Sequence, residues 1–210
     1  MPSNTFFNLP VEKKERIIAA AQKEFAENCF NDASIASIIK KADIPRGSFY
    51  QYFDNLKDLY KYLLELIAEK KLSFFNELMA KMDMDKVETI DLIKNLYRMG
   101  IKFARDNPEF AEIGNNLYKE DQQLKDEIYA GFEEKSGDLY RNLIKRGKKR
   151  GDIREDIDTE VLSLMLYSLN IQIGDHFLKK INMKDFTEEE FSEYLAVIDK
   201  MLGIIENGVR

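Results

Sequence analysis

The stretch Ser34-Ile-Ala-Ser-Ile-Ile-Lys-Lys-Ala-Asp-Ile-Pro-Arg-Gly-Ser-Phe-Tyr-Gln-Tyr-Phe53 constrains this chain more than any other. Ser34 is placed to cap a helix, because its hydroxyl can accept from an otherwise unpaired first-turn amide. Ile35, Ile38 and Ile39 follow at helical spacing and form one apolar stripe. Ala42-Asp43-Ile44 has the length of the joint in a helix-turn-helix. Pro45 suits the first turn of a second helix, where its missing N–H is not needed. In that second helix Phe49 and Phe53 lie four apart and stack on one side, where they plug a core with Ile44.

The same spacing turns Arg46, Gly47, Tyr50 and Gln51 outward, as two i,i+4 pairs. Arg pairs with guanine and Gln with adenine in a major groove, and Tyr and Ser hydroxyls bind phosphates. Gly47 lets the backbone approach a partner closely. This is the pattern of a recognition helix that reads double-stranded DNA. Two helices of an ordinary bundle would share the outline, so the particular string carries the distinction. Gly47-Ser48-Phe49-Tyr50-Gln51-Tyr52-Phe53, then Lys57-Asp58-Leu59, with Phe25-Ala26-Glu27 and Phe30 upstream, resembles the signature of the TetR family of bacterial transcriptional regulators (TetR/AcrR type). The resemblance is specific over about residues 12–63.

It implies an all-α chain of about nine helices. Residues 1–55 would form a three-helix, helix-turn-helix DNA-binding domain, and residues 56–210 a helical domain for effector binding and dimerisation. It also implies a homodimeric repressor that a small molecule releases from its operator, with no cofactor and no membrane. The expected DNA-facing set is Ser34, Pro45, Arg46, Gly47, Ser48, Tyr50, Gln51, Tyr52 and Lys57. The family commonly has Gly where Cys29 and Asp43 stand, and a phosphate-binding Lys where Leu56 stands. Asp tolerates the left-handed turn geometry, and Lys57 is the candidate replacement for the lost Lys.

Net charge is −6, but the acid is unevenly placed. Residues 10–71 hold 11 Lys and Arg against 10 Asp and Glu, so the other 21 basic and 28 acidic residues carry the excess. A mildly basic head should bind DNA with an affinity that falls as salt rises. An apolar content of 44% and a charged content of 33% fit a folded globular chain. A single cysteine, Cys29, suits a reducing cytoplasm and reads as a buried or half-buried thiol rather than a redox sensor. No apolar run is long enough to span a bilayer, and the N-terminus lacks the regions of a signal peptide, so the expected location is cytoplasmic.

Along the chain, residues 1–9 read as a flexible arm and Pro10 opens the first long helix. Asp54-Asn55 caps a helix from near Leu56 to about Met82 that connects the head to the rest. Helices follow over Ile90–Arg105, Glu109–Tyr118, about Gln122 to Arg150, Thr159–Lys180, and from Thr187 to about Asn207. Thr187 with Glu190 three residues later is a capping box. In the Thr159–Lys180 helix, Val161, Leu162, Leu164, Met165, Leu166, Leu169, Ile171 and Ile173 surround nearly the whole circumference. A helix apolar on most sides needs cover on most sides. Leu162, Leu166, Leu169 and Ile173, with Leu195, Ile198, Met201, Leu202 and Ile205 of the last helix, are therefore the candidate dimer interface. Two copies would bury them as a four-helix bundle about a twofold axis.

Phe103, Phe110, Tyr118, Phe132, Tyr140, Tyr167, Asn170 and His176 are candidates for an effector pocket of aromatic walls and few polar groups; taken singly, each aromatic reads as core. Catalysis finds little support. His176 is the only histidine, and Asp175 beside it points about 100° away on a helix. HExxH, CxxC and Gly-rich phosphate-loop motifs are missing, and no metal set is evident. The alternative to a regulator is a helical ligand- or partner-binding protein of the same fold.

Overall fold

The computed structural model describes residues 1–83, 86–178 and 187–209, with side chains described outside residues 131–137 and 174–178. Within them the chain is all-helical. The helices are α1 (Asn4–Phe7), α2 (Val11–Glu27), α3 (Ile35–Ala42), α4 (Arg46–Tyr52), α5 (Leu56–Met79), α6 (Thr89–Asp106), α7 (Pro108–Lys119), α8 (Gln122–Arg150), α9 (Thr159–Leu178) and α10 (Glu188–Val209). They divide into two compact units: residues 1–73 with 107–121, and residues 74–106 with 122–210.

The first unit is built on the apolar faces the spacing predicts. Ile17, Ala21 and Phe25 of α2, Ile38 of α3 and Phe49 of α4 are buried, and Ile44 and Phe53 join them. Helix α7 packs against α2 in the same unit. Its Asn116 amide donates to the Phe25 and Ala26 carbonyls at 3.0 and 3.2 Å, pairing acceptors that the end of α2 leaves open. Cys29 is half-buried, and burial together with the Glu120 carboxylate pushes its thiol pKa up.

Residues 1–9 are not a free arm. Ser3 caps α1, accepting from the Phe6 amide. Its own N–H donates to the Tyr52 carbonyl at 2.9 Å and its hydroxyl to the Gln51 carbonyl at 2.5 Å. Phe6, only 1% exposed, sits with its ring centroid 4.9 Å from that of Phe53, 5.5 Å from Tyr62 and 6.3 Å from Tyr52. The sequence expectation failed here because four residues show no periodicity, and this helix exists through tertiary contact.

In the second unit one core gathers α6, α8, α9 and α10. It includes Leu162, Leu166, Ile173, Ile198, Leu202 and Ile205, while Leu169, Leu195 and Met201 are partly buried against it. The expectation that these residues need a second copy to cover them is corrected: the chain covers most of them itself. What α9 and α10 leave exposed is a different set, namely Val161, Leu164 and Met165 on α9 and Ile204 on α10. The helix ends follow local chemistry. Asp158, one residue before the expected Thr159, caps α9 by accepting from the Glu160 and Val161 amides at 2.8 and 3.0 Å. The Thr187–Glu190 capping box forms as expected, with reciprocal bonds of 2.9 and 3.2 Å. Helix α8 ends at Gly151, whose φ of 81° is the left-handed geometry that glycine adopts without strain. No helix among the described residues is long and apolar enough to cross a membrane.

Candidate nucleic-acid interface

The joint between α3 and α4 is made by Asp43, at φ 50° and ψ 56°. Its N–H turns back to the end of α3, and the Ile44 N–H reaches the Ile39 carbonyl at 3.2 Å. Left-handed geometry at this one residue closes α3 and redirects the chain. Arg16 of α2 donates through Nε to the Ala42 carbonyl at 2.8 Å and holds the same corner from the other side.

The start of α3 is fixed as firmly. Ser34 caps it, accepting from the Ser37 amide at 3.5 Å. The buried carboxylate of Glu24 accepts from the Ser34 amide at 2.9 Å, from the Ser37 hydroxyl, and from Lys41 at 2.9 Å. Burial alone would push the Glu24 carboxyl up. The hydrogen bonds from Ser37, Lys41 and Ser34 outweigh it and hold the group below its ordinary value. Burial would likewise lower the Lys41 ammonium, but its bonds to Glu27 and Glu24 raise it. Glu24 carries no signal in the sequence that separates it from the solvated acids around it, and its anchoring role emerges only from the packing.

On this frame α4 presents Arg46, Gly47, Tyr50 and Gln51 to solvent, with Tyr50 50% exposed. A Cβ built on Gly47 would meet nothing within 4 Å, so the protein itself places no steric demand there. Ser34 and Pro45 are exposed, and Ser48 and Lys57 are half-buried. Tyr52 is the correction: at 3% exposure it packs by Phe6, with the Lys13 ammonium 5.6 Å from its ring, and offers a ligand almost no surface. Its position in α4, three residues after Phe49, puts it on the inner side. Asn55, rather than a charged group, caps α5, accepting from the Asp58 amide at 3.0 Å.

The expected effector residues fall in both units. In the second unit Phe103 is buried against Phe74, at 5.6 Å between centroids. Tyr140 is buried and bonded to Tyr97, and burial drives both phenols up, Tyr97 to about 12. Tyr167 lines an open groove of about 440 Å³ between α8 and α9, together with Tyr129, Lys125, Asp126, Leu164 and Ile171. Asn170 is exposed and lies outside the residues lining that groove. Phe110 and Tyr118 belong to the first unit, where the Lys70 ammonium lies 4.7 Å from the Phe110 ring centroid. Phe132 and His176 lie outside the described side chains.

Comparison with known proteins bears on the whole chain. Residues 17–63 match the family model described as bacterial regulatory proteins, tetR family. An uncharacterised HTH-type transcriptional regulator of Bacillus subtilis, YdgC, is 21% identical over 168 residues, 80% of this chain and 82% of its own length. The FadR transcriptional regulator of B. subtilis, solved in complex with stearoyl-CoA, superposes with a TM-score of 0.66 over 93% of this chain and 99% of its own, at 18% identity. A TetR family transcriptional regulator from Chloroflexus aurantiacus is 30% identical, with a TM-score of 0.64 over 100% of this chain and 99% of its own. With a helix-turn-helix exposed on α4 and this likeness running end to end, the chain belongs to the TetR family of bacterial transcriptional regulators.

Proposed function

We infer that this regulator is a homodimeric repressor whose α4 reads an operator and whose grip is released by a small-molecule effector. The observation that carries the reading is the outward quartet of α4. Arg46 and Gln51 can make bidentate contacts to base edges, Tyr50 can bond a phosphate, and Gly47 clears the approach. Ser34, Pro45, Ser48 and Lys57 flank that quartet as secondary contacts. By this reading the unit of residues 1–73 and 107–121 carries the DNA contacts, and the unit of residues 74–106 and 122–210 serves effector binding and dimerisation.

Pairing rests on the apolar side chains left uncovered on α9 and α10. Leu164 is 58% exposed and Ile204 76%, and side chains of this kind mark an association surface when they gather. A twofold pair is the default assembly, and it presents two reading helices to half-sites one helical turn apart. The aromatic side chains of residues 56–210 favour an apolar or aromatic effector. Acyl-CoA thioesters are the first compounds to screen, since the FadR of similar fold binds stearoyl-CoA.

The test is fluorescence anisotropy of the full chain with DNA from upstream of its own gene, against random DNA of equal length, at two salt concentrations. Salt-sensitive binding that prefers the upstream DNA and is lost in Arg46→Ala supports the reading. No preference for any duplex, even after selection from genomic fragments, would leave a helical ligand- or partner-binding protein.

A further inference from the structure

We propose that residues 3–7 form a strap that sets the pose of the reading helix, with Phe6 and Ser3 as positioning residues for DNA recognition. The inference rests on α4 being the reading helix. At seven residues, with no side-chain cap at Pro45, α4 is too short to hold its own geometry. Its last turn is held by the strap. The Gln51 and Tyr52 carbonyls, which a helix end leaves unpaired, both accept from Ser3. Phe6 then wedges its ring among Tyr52 and Phe53 at the end of α4 and Tyr62 on α5.

The strap has its own footing on two further helices. Phe7 stacks edge-on against Tyr62 at 5.9 Å, and the Lys14 ammonium of α2 donates to the Phe7 carbonyl at 3.1 Å. The direction in which Arg46 and Gln51 point is therefore set from both ends: Asp43 fixes where α4 begins, and Ser3 with Phe6 fixes where it ends. Residues 3–7 carry no charged group, and the Met1 ammonium before them is paired with the Asp58 carboxylate, so the strap adds no phosphate-neutralising group of its own. Its contribution runs through the alignment of α4, which separates operator from random DNA, and not through general attraction to the backbone.

The experiment uses the full chain and a duplex selected by the native protein from a random pool, with a random duplex of equal length beside it. Phe6→Ala, Phe6→Leu, Ser3→Ala and Arg46→Ala are titrated over a salt series, and amide exchange is followed at residues 49–53. Phe6→Ala should weaken binding to the selected duplex roughly tenfold or more, the scale of one well-aligned base contact. It should leave random-DNA affinity within about twofold and the salt slope unchanged, since no phosphate contact is removed. Exchange at residues 49–53 should quicken, and Phe6→Leu should restore most of both. An unchanged affinity and exchange rate in Phe6→Ala, with Arg46→Ala still impaired, would overturn the strap and leave the reading helix standing. A shallower salt slope would overturn it too, in favour of direct contact. If Arg46→Ala and the strap variants all bind like the native chain, the reading-helix assignment falls and the strap with it. Should Phe6→Ala lose its helical circular dichroism, Ser3→Ala decides. It removes two hydrogen bonds, the hydroxyl's donation to the Gln51 carbonyl and its acceptance from the Phe6 amide, so a loss of preference of roughly two- to tenfold supports the strap, and an unchanged preference overturns it.

Discussion

Lys41 holds the buried carboxylate of Glu24 at 2.9 Å, and the same carboxylate anchors the first turn of α3 through Ser34 and Ser37. One acid thus fixes both ends of an eight-residue helix. Glu24→Ala should destabilise the chain by about 1–3 kcal/mol. Lys41 keeps Glu27 and solvent, but the Ser34 N–H and Ser37 hydroxyl lose their partner. Thermal unfolding at neutral pH measures it.

The same contact has a pH signature. The Glu24 carboxyl lies below its ordinary value of 4.5 in the folded chain, so in acid the unfolded chain takes up its proton first. Its contribution is complete above the ordinary value and is lost as pH falls through the depressed folded value. Melting curves between pH 3 and 7 should show a steeper acid loss for the native chain than for Glu24→Gln.

Gly47→Ala should act on stability and binding with opposite signs. Nothing in the protein lies within 4 Å of the added methyl, and Ala is the better helix former by about 0.8–1 kcal/mol. The melting temperature should hold or rise. The methyl lies on the face that would approach DNA, so operator affinity in an anisotropy titration should fall.

Gly147→Ala should be damaging without touching DNA. The new Cβ would lie 2.6 Å from Thr89 Oγ1, 2.7 Å from Asp152 Oδ1 and 2.8 Å from Ile153 Cδ1. Thr89 and Asp152 cannot simply withdraw, because the Asp152 carboxylate accepts from the Thr89 amide and hydroxyl at 3.0 and 3.1 Å. A loss of about 1–3 kcal/mol follows from such overpacking, read by denaturant unfolding.

Two leucines two residues apart on α9 should separate folding from pairing. Leu166 is fully buried, so Leu166→Ala should reduce stability by about 2–5 kcal/mol. Leu164 is exposed, so Leu164→Glu should leave the isolated chain folded and shift sedimentation toward the monomer.

Much of the first unit is legible in sequence because each signal there is local. Ser34, Asp43 and the Phe49–Phe53 pair act within a few residues of themselves, and all of them stand in their expected places. Tyr52 was misread because a phenol suits an interface and a core equally, and only the ring of Phe6 decides between them. The face of α9 was illegible for a different reason. A helix apolar nearly all round has no phase, so its sequence cannot tell Leu162, which its own chain buries, from Leu164, which it does not. The effector set is illegible for a related reason: aromatic side chains at helical spacing do not say which cavity they line.

Helix α7 makes the first unit discontinuous: the chain leaves it after residue 73 and returns for residues 107–121. Translation therefore delivers the two pieces at different times. Until residue 121 has cleared the ribosome, α2 lacks the cover of α7, and its last carbonyls lack the amide of Asn116. The reading head is thus complete only when more than half of the polypeptide exists, and a nascent chain ending at residue 73 should not bind DNA as the finished protein does.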